Sequence, residues 1–516
     1  MKVPLTTQDF LYRAEIAYGD RVGAVDEPGV PGALGETTYA ELAARVRGMA
    51  LQLDAMGVGV GDRVAFVAPN CTKFLIALMA TTTTGRILVP VNFRLQPEEV
   101  AFIVEHSGAS VLLVDPELDA PLANVTAATR IVMDGVQDAD LFAPAPQDAQ
   151  PTPWEQDEDA VATINYTSGT TSAPKGVMLT HRNLWVNAVT FGLHMGLSDR
   201  DVYLHTLPQF HCNGWGVPLA TIGMGIRNVM QRKVDGAQIL RRVDEHGLTL
   251  MCGAPTVIAM IVEAGGALAD QGAPIPGDGT MRAFVAGSPP PSAVIERFEG
   301  VLGWEFNQLY GLTETSPLLT INRGREEWDD APPAERSQLL SRAGAPSIGT
   351  RIEIDPDGEV LARSNTIFKG YWERPDLTEL AHTDGWFRTG DGGDLEDGYL
   401  TITDRKKDVI ISGGENVSSV EVEDQLYQHP AVADAAVIGV PHDRWGETVK
   451  ALVVLREDAE ADIGEAQLIA FCREHLAHYK CPTTVEIREE LPRTATGKLQ
   501  KYKLRKPYWE GRRGVA

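Results

Sequence analysis

A run of hydroxyl residues and glycines around one lysine is the first feature of this sequence that could do chemistry. Residues 167–176 read TSGTTSAPKG and follow AVATINY, an apolar stretch that predicts a strand. Such loops bind phosphates, because backbone N–H groups and hydroxyls point at phosphate oxygens and the lysine adds a positive charge. A Walker loop needs GK[ST] at the start of a helix, whereas Lys175 lies between Pro174 and Gly176. We therefore predict a nucleotide site outside the P-loop NTPase fold; the alternative is a plain surface loop.

The net charge limits what the rest of the surface can bind. The chain of 516 residues carries 46 Lys and Arg against 71 Asp and Glu, a formal net charge of −25. An acidic protein disfavours a general nucleic-acid or anionic-membrane surface. An anionic ligand therefore needs a local positive site, and we expect no nucleic acid among the partners.

The cysteines and apolar stretches indicate the compartment. Five cysteines, without CxxC spacing, indicate neither a disulfide framework nor a zinc site and fit a reducing cytoplasm. The N-terminal segment lacks the apolar core of a signal peptide. Residues 74–93, the most apolar stretch, are interrupted by TTTTGR and Pro90, short of the roughly 20 apolar residues of a spanning helix. We expect a cytoplasmic protein without an integral membrane segment, and a helix, a turn and a buried strand over 74–93.

The elements that must position the glycine loop follow an α/β pattern. Residues 38–114 alternate helices, Gly-rich turns and apolar strands, which predicts parallel strands. The glycines of GVGVGD at 57–62 follow a helix rather than a strand, which favours a helix end and turn over a dinucleotide loop. After an exposed connection at 144–159, a second α/β run, with Thr180 as a helix N-cap, extends to about Leu319.

The last third of the chain has a different pattern. Residues 348–402 contain Asp-Gly turns between short strands and predict hairpins in a small β-rich unit. The tail that follows mixes helical patterns with the apolar strands AVADAAVIGVP and VKALVVL. We expect it to form a separate C-terminal domain.

Six motifs, in order along the chain, resemble those of one enzyme superfamily. They are TSGTTSAPKG, QFHCNGWG, NQLYGLTETSP, GWFRTGD, DRKKDVIISGGENVSSVEVED and LPRTATGKLQK. They resemble the motifs of the acyl-adenylate-forming (ANL) enzymes, which include acyl-CoA synthetases, firefly luciferase and the adenylation domains of peptide synthetases. The resemblance runs from about Thr38 to Arg505, and Ser172 stands where the family usually has glycine.

The resemblance implies an α/β fold of two domains. Residues 1–403 would form a large N-terminal AMP-binding domain of two α/β sheet lobes and a small β-rich, barrel-like unit. Residues 404–516 would form a smaller, mobile α+β domain with its hinge near Lys407. The family uses two arrangements of this domain, one that brings Lys498 to the adenylate site and one that presents SGGENV to the thiol acceptor.

The implied reaction is ATP-dependent ligation of a carboxylic acid to CoA, with Mg²⁺. A carboxylate oxygen attacks the α-phosphorus of ATP to give acyl-AMP and pyrophosphate, and CoA then takes the acyl group. This chemistry is mostly positioning and charge neutralisation. The catalytic residues would be Lys498, His211, Thr313 and Glu314, with Glu314 and Thr170 at the metal, since Mg²⁺ prefers hard oxygen ligands.

The resemblance also implies three groups of binding residues. Those for ATP or AMP are Thr167, Ser168, Gly169, Thr170, Thr171, Lys175, Gly287, Ser288, Gln308, Leu309, Tyr310, Thr313, Asp391, Arg405 and Lys407. Those for the acyl pocket are His211, Cys212, Trp215 and Gly216. Those for CoA are Ser412, Gly413, Gly414, Glu415 and Asn416.

From their residue types alone, several of these have plainer interpretations. Glu314 could be an exposed acid at a helix start, Asp391 a turn residue, and Tyr310 or His211 part of the core. Cys212 has no identifiable base nearby, which favours a small packed residue over a nucleophile.

The acid and the acceptor remain open at this level. HCNGW with ISGGENVSS most resembles enzymes for medium-chain fatty, methylthio-alkanoic or aryl acids, and we favour a medium-chain or similarly sized apolar acid. The alternatives are a stand-alone acyl-AMP ligase that loads a carrier protein and a luciferase-like oxygenase. The expected partners are a small carboxylic acid and CoA, and a homodimer is common in the family.

Overall fold

The strands in the described part of this protein fall into four sheets. The computed structural model describes residues 1–167, 174–288, 290–405, 408–412, 415–442, 446–457, 459, 463–494 and 497–510, without the side chains of Arg405, Glu415 and Asn416. In that part of the chain the strands are β1 Val22–Val25, β2 Glu36–Thr38, β3 Arg63–Val67, β4 Ile87–Val91, β5 Val111–Val114, β6 Thr129–Val132, β7 Val161–Thr167, β8 Lys175–Thr180, β9 Val202–His205, β10 Arg227–Met230, β11 Leu250–Gly253, β12 Arg282–Val285, β13 Glu305–Gly311, β14 Leu318–Asn322, β15 Ala345–Pro346, β16 Arg351–Ile354, β17 Glu359–Arg363, β18 Gly370–Tyr371, β19 His382–Thr383, β20 Trp386–Glu396, β21 Tyr399–Arg405, β22 Ile410–Ser412, β23 Glu415–Val417, β24 Val432–His442, β25 Gly446–Leu455 and β26 Thr484–Ile487.

Helices cover the sheets. They are α1 Gln8–Tyr18, α2 Tyr39–Ala55, α3 Thr72–Thr82, α4 Pro97–Ser107, α5 His181–Met195, α6 Cys212–Trp215, α7 Val217–Gly223, α8 Gly236–His246, α9 Pro255–Asp270, α10 Ser292–Leu302, α11 Pro333–Ser341, α12 Pro375–Leu380, α13 Ser419–Tyr427, α14 Glu465–His475 and α15 Lys501–Trp509. Among the described residues, none of the helices combines the length and the apolar character needed to cross a bilayer.

The first sheet has the strand order β18-β8-β7-β4-β3-β5-β6. Strands β7, β4, β3, β5 and β6 run parallel to one another. At one edge of the sheet, β8 pairs antiparallel with β7, and β18 pairs antiparallel with β8. The predicted parallel arrangement is therefore confirmed in the interior, and the sheet as a whole is mixed. The glycine loop connects β7 to β8 at this edge.

The second sheet has the order β15-β14-β13-β12-β11-β9-β10-β1-β2, parallel from β13 to β1 and antiparallel at both ends. The two sheets do not divide the chain at the predicted connection. The N-terminal strands β1 and β2 join the second sheet, and β7 and β8, which follow the connection, join the first. Strand pairing between distant segments decides this, and local sequence patterns carry no signal of it.

The third sheet confirms the predicted hairpins. Its strand order is β16-β17-β20-β19, with β21 paired to β20. Asp397 and Gly398 form the two-residue turn between β20 and β21, with φ of 50° and 79°, a left-handed conformation typical of hairpin turns. The described strands form an open sheet, so the expected barrel-like closure is wrong.

The C-terminal segment forms a fourth sheet of order β23-β22-β25-β24, with β26 parallel to β25. Helices α13 and α14 pack with it around a separate apolar cluster. Strand β21 pairs with the third sheet as far as Arg405, and the fourth sheet begins at Ile410. The domain boundary at 403/404 stays a prediction.

Local sequence signals fix several helix ends. Thr38 Oγ1 accepts the Glu41 N–H at 3.2 Å and Glu41 Oε2 accepts the Thr38 N–H at 2.8 Å, a capping box at the start of α2. Gly57 follows α2 with φ 75°, as expected of a helix end and turn. Thr180 caps α5 through the Asn183 N–H, as predicted.

Helix α3 lies in the core of the N-terminal region, and all of its residues are buried. Phe74, in its first turn, meets Phe66 of β3 edge to face at 5.4 Å between ring centroids. With β4 following after a short turn, the prediction of a helix, a turn and a buried strand is confirmed.

Truncation of Phe74 tests the contribution of this helix to stability. We expect Phe74→Ala to lower the free energy of unfolding by about 3–5 kcal/mol, because it removes a buried ring and leaves a cavity. Ile16→Ala, at an exposed position of α1, should change it by about 0.5 kcal/mol or less. Urea unfolding followed by tryptophan fluorescence measures both, and equal losses would contradict the placement of Phe74 in the core.

Candidate active site

A cavity of about 710 Å³ lies where strand ends of the two large sheets meet. Its walls include the carboxyl ends of β7, β12 and β13, the position at which α/β sheets bind ligands. Eleven of the predicted site residues line it: Thr167, Lys175, His211, Cys212, Trp215, Gly287, Leu309, Tyr310, Thr313, Glu314 and Lys498. The fold thus collects most of the dispersed motifs at one place.

Other predicted residues lie elsewhere. Outside the described residues are Ser168, Gly169, Thr170, Thr171, Lys407, Gly413 and Gly414. The described residues Gly216, Ser288, Gln308, Asp391 and Ser412 are not part of the cavity lining. Gly216, Ser288 and Gln308 are next in sequence to residues that line the cavity, and Asp391 is hydrogen-bonded to one of them, Tyr310.

The end of the cavity that is predicted to bind phosphates contains Lys175 and Glu314, which share a neighbour. Lys175 is the first residue of β8, and its Nζ lies 5.3 Å from the ring centroid of Tyr371. The Tyr371 Oη donates to Glu314 Oε1 at 2.9 Å. Glu314 lies half-buried in a short 3₁₀ turn, Thr313–Thr315, and is not an exposed acid at a helix start. The sequence motifs did not single out Tyr371.

This arrangement suits a magnesium ion held together with substrate. Within the described ranges, no group of three or more His, Cys, Asp or Glu could form an all-protein metal site. Mg²⁺ usually takes one or two carboxylates and completes its coordination with water and phosphate oxygens. Glu314, which shares the cavity with Lys175, fits that requirement.

The end of the cavity that is predicted to bind the nucleoside is formed by β13 and β20. The Tyr310 Oη donates to Asp391 Oδ2 at 2.9 Å, and the Asp391 N–H donates to Thr389 Oγ1 at 3.1 Å. Asp391 lies within a strand rather than in a turn, and Tyr310 lines the cavity rather than the core. The buried Gln308 Oε1 has no hydrogen-bond partner among the described residues. A carboxylate and an unpaired amide oxygen are acceptors suited to hydroxyl and amine donors of a ligand.

His211 and Trp215 are carried by a left-handed turn. Cys212, Asn213 and Trp215 have φ of 47°, 55° and 61°, and such backbone costs roughly 1–2 kcal/mol for each non-glycine residue. Gly216 continues the turn at φ 71°, and a Cβ there would lie 2.5 Å from a buried side-chain amide. The turn brings both aromatic side chains to the cavity, which explains why this motif fits no single strand face.

Buried amides hold this turn. The Asn213 Nδ2 donates to Thr163 Oγ1 at 3.0 Å, and the Asn165 Nδ2 donates to Asn213 Oδ1 at 3.2 Å. The Asn187 Nδ2 donates to the Trp215 carbonyl at 2.9 Å. Asn213 belongs to the HCNGW motif, whereas no sequence motif singled out Asn165, two residues before the glycine-loop motif, or Asn187.

The protonation states at this end follow from burial. Burial, and secondly the charge of Lys498, lowers the pKa of His211 to about 4, so that the imidazole is neutral at pH 7. Burial, and secondly the charge of Glu314, raises the pKa of Cys212 far above its usual range. Cys212 is therefore a thiol at neutral pH, which agrees with a packed residue and not a nucleophile.

Lys498 reaches the cavity from the segment before α15. Its N–H donates to Thr494 Oγ1 at 3.0 Å, and both residues line the cavity. Gly497, at φ 82°, packs so closely that a Cβ would lie 2.3 Å from Thr256 Oγ1 at the start of α9. This close contact places Lys498 in the same cavity as His211 and Lys175.

Of the residues predicted to bind CoA, Ser412 is described with its side chain, and it does not line this cavity. Ser412 ends β22, where its backbone pairs with Glu415 and Gly446. Among the described residues, the cavity therefore contains eleven of the predicted site residues, and Ser412 lies outside it.

Comparisons with known proteins give the following matches. The family described as AMP-binding enzyme matches residues 16–372, and the AMP-binding enzyme C-terminal domain matches residues 421–498. The chain is 36% identical over 541 residues to a 2-methylpropanoate–CoA ligase from Humulus lupulus, covering 97% of this chain and 95% of that protein. It is 35% identical to 4-hydroxybutyrate–CoA ligase 2 from Metallosphaera sedula, with 97% and 94% covered.

A solved structure shows the same arrangement of the chain. The o-succinylbenzoate coenzyme A synthetase from Bacillus subtilis, in complex with ATP and a magnesium ion, superposes with a TM-score of 0.81 at 29% identity. The match covers 96% of this chain and 99% of that chain.

The lowered pKa of His211 predicts a pH dependence of stability. The unfolded chain binds a proton at this residue near pH 6.5 and the folded chain only near pH 4, so the free energy of unfolding rises with pH between these values. His211→Gln should reduce the slope of the free energy of unfolding against pH by up to the contribution of one bound proton.

Urea unfolding at pH 4.5–7 measures the slope. His478→Gln, at an exposed histidine, is the matched control and should leave it unchanged. Equal slopes for His211→Gln and the native protein would contradict the assignment of a neutral His211.

Proposed function

Because this chain belongs to the family of AMP-binding enzymes and is an AMP-forming acid:CoA ligase, we propose that it activates a medium-chain fatty acid or a similarly small apolar acid. The observation that carries this proposal is the single cavity lined by Lys175, Glu314, His211 and Lys498. These residues come from four separate sequence motifs, and each has the chemistry that one part of the reaction needs.

The first half-reaction forms the acyl-adenylate. A carboxylate oxygen of the acid attacks the α-phosphorus of ATP, and the bond from that phosphorus to pyrophosphate breaks. Lys498 neutralises charge on the acid and the α-phosphate, and Lys175 holds the outer phosphates. The neutral imidazole of His211 orients the acid carboxylate by a hydrogen bond without adding charge. Asp391 and Gln308 accept hydrogen bonds from the nucleoside.

A magnesium ion would be held by Glu314 together with phosphate oxygens, as hard oxygen ligands require. When bound, it neutralises phosphate charge and orients the pyrophosphate leaving group. Thr313, next to Glu314, would contact the α-phosphate.

The second half-reaction transfers the acyl group to CoA. The thiol sulfur attacks the acyl carbon, the bond from that carbon to the phosphate oxygen breaks, and AMP leaves. Ser412–Asn416 would guide the pantetheine arm, and Ser412, the member of this group described with its side chain, does not line the cavity that contains Lys498. We therefore propose that the C-terminal domain rotates near Lys407 between the two half-reactions. The rotation would withdraw Lys498 from the cavity and bring Ser412–Asn416 to it.

The acid would occupy the apolar end of the cavity. Phe191, Leu207, Phe210, Trp215 and Leu318 line it, which supports an apolar acyl group. The names of two relatives, a 2-methylpropanoate and a 4-hydroxybutyrate ligase, make short branched or hydroxylated acids the second candidates. A cytoplasmic location and a homodimer stay predictions.

The substrate class is tested by pyrophosphate release from ATP and Mg²⁺ over a panel of short, branched, medium-chain, long-chain and aryl acids, with and without CoA. We expect sustained turnover only with CoA, a maximum for medium-chain or similarly sized apolar acids, and acyl-CoA by mass spectrometry. Acyl-adenylate that accumulates equally with and without CoA would instead identify a carrier protein as the acceptor.

The role of Lys498 is tested by separating the two halves. Lys498→Ala should slow acyl-adenylate formation about 10²–10³-fold, because a charge-stabilising group is lost at the reacting centre. Transfer to CoA from supplied acyl-AMP should change only a few-fold. Lys503→Ala, at an exposed lysine of the same segment, is the control. Equal losses in both halves would contradict the two-arrangement proposal.

A further inference from the structure

Tyr371 contacts both charged groups at the phosphate end of the cavity. Its Oη donates to Glu314 Oε1 at 2.9 Å, and the ammonium of Lys175 lies 5.3 Å from its ring centroid. A direct ion pair between Lys175 and Glu314 would occupy the ammonium that phosphates need and the carboxylate that a metal needs. The phenol hydroxyl bonds one oxygen of Glu314, and the ring face contacts the ammonium of Lys175. Both charged groups can therefore still bind a ligand.

The phenol ring is held in this place by the surrounding backbone. Tyr371 belongs to β18, whose two residues pair with Val177 and Met178 of β8. The Tyr371 N–H donates to Thr378 Oγ1 at 2.9 Å. The ring meets Phe368 edge to face at 4.8 Å between centroids.

The same segment also fixes the backbone of Glu314. The Phe368 N–H donates to the Glu314 carbonyl at 2.8 Å, and the Trp372 N–H donates to the Gly176 carbonyl at 2.7 Å. Residues 368–372 therefore join the two chain segments that carry Glu314 and Lys175. A side chain in their midst is well placed to set the separation of the two charges.

We propose that Tyr371 is a positioning residue for ATP and Mg²⁺: its hydroxyl orients Glu314 toward the metal, and its ring face positions Lys175 for the phosphates. The hydroxyl occupies Oε1 of Glu314, which leaves Oε2 to the ion. This inference rests on the proposed function.

The experiment separates the hydroxyl from the ring in the full-length protein. Isothermal titration calorimetry measures ATP binding at a series of MgCl₂ concentrations and in EDTA. The variants are Tyr371→Phe, which keeps the ring, and Tyr371→Leu, which removes both groups. Glu314→Gln is the positive control, and Tyr12→Phe, at an exposed tyrosine of α1, is the matched control for loss of a phenol hydroxyl.

Mg²⁺ should change the Kd for ATP, and we compare the Mg²⁺ concentration at which half of this change is reached. For Tyr371→Phe we expect this concentration to be about tenfold higher, since a hydrogen bond to a charged group is lost. The Kd for ATP in EDTA should stay within about twofold. Tyr371→Leu should in addition weaken ATP binding in EDTA about threefold, because Lys175 loses its aromatic partner. Electron paramagnetic resonance of Mn²⁺ with ATP should show the same order of metal affinities.

The outcomes separate this inference from the proposed function. If the native protein does not bind ATP, or Mg²⁺ has no effect on its binding, the proposed function itself fails. If Glu314→Gln changes the Mg²⁺ requirement and Tyr371→Phe does not, the role of Tyr371 is overturned. An equal loss of ATP binding with and without Mg²⁺ in Tyr371→Phe would likewise overturn it, since that result indicates a structural role only.

Discussion

The arrangement of this protein depends on one electrostatic constraint: an acidic chain must gather positive charge at a single point to hold a polyphosphate. The chain carries a net charge of −25, so its general surface repels the ligand that its loop motif suits. Lys175 and Lys498, which are far apart in the sequence, line the same cavity. In that enclosed space each charge acts through less water and is therefore stronger than at the surface.

That constraint also explains why charges in the cavity have neutral neighbours. His211 is kept neutral by burial and by Lys498, so it adds no second positive charge next to the acid. Tyr371 is shared by Lys175 and Glu314. A neutral polar group between opposite charges helps to keep both charges available to a ligand.

The turn that carries His211 has a strained backbone, which hydrogen bonds from the surrounding fold stabilise. Its positive φ values cost free energy that buried amides compensate, chiefly through Asn213 and Asn187. Asn187 lies in α5, whose start is set by the cap at Thr180. The end of the cavity that is lined by His211 and Trp215 thus depends on a helix that begins directly after β8, the strand that carries Lys175.

The sequence by itself determined what is local: the capping box at Thr38, the hairpin turn at Asp397 and the phosphate-binding composition of the loop before Lys175, because these signals act over about four residues. It also singled out eleven of the residues that line the cavity. Only the tertiary structure decided that β7 and β8 join the first sheet, that Tyr371 meets Glu314, and that Asn187 holds the turn near His211. Such contacts depend on strand pairing and burial between distant segments, which no short window of sequence contains.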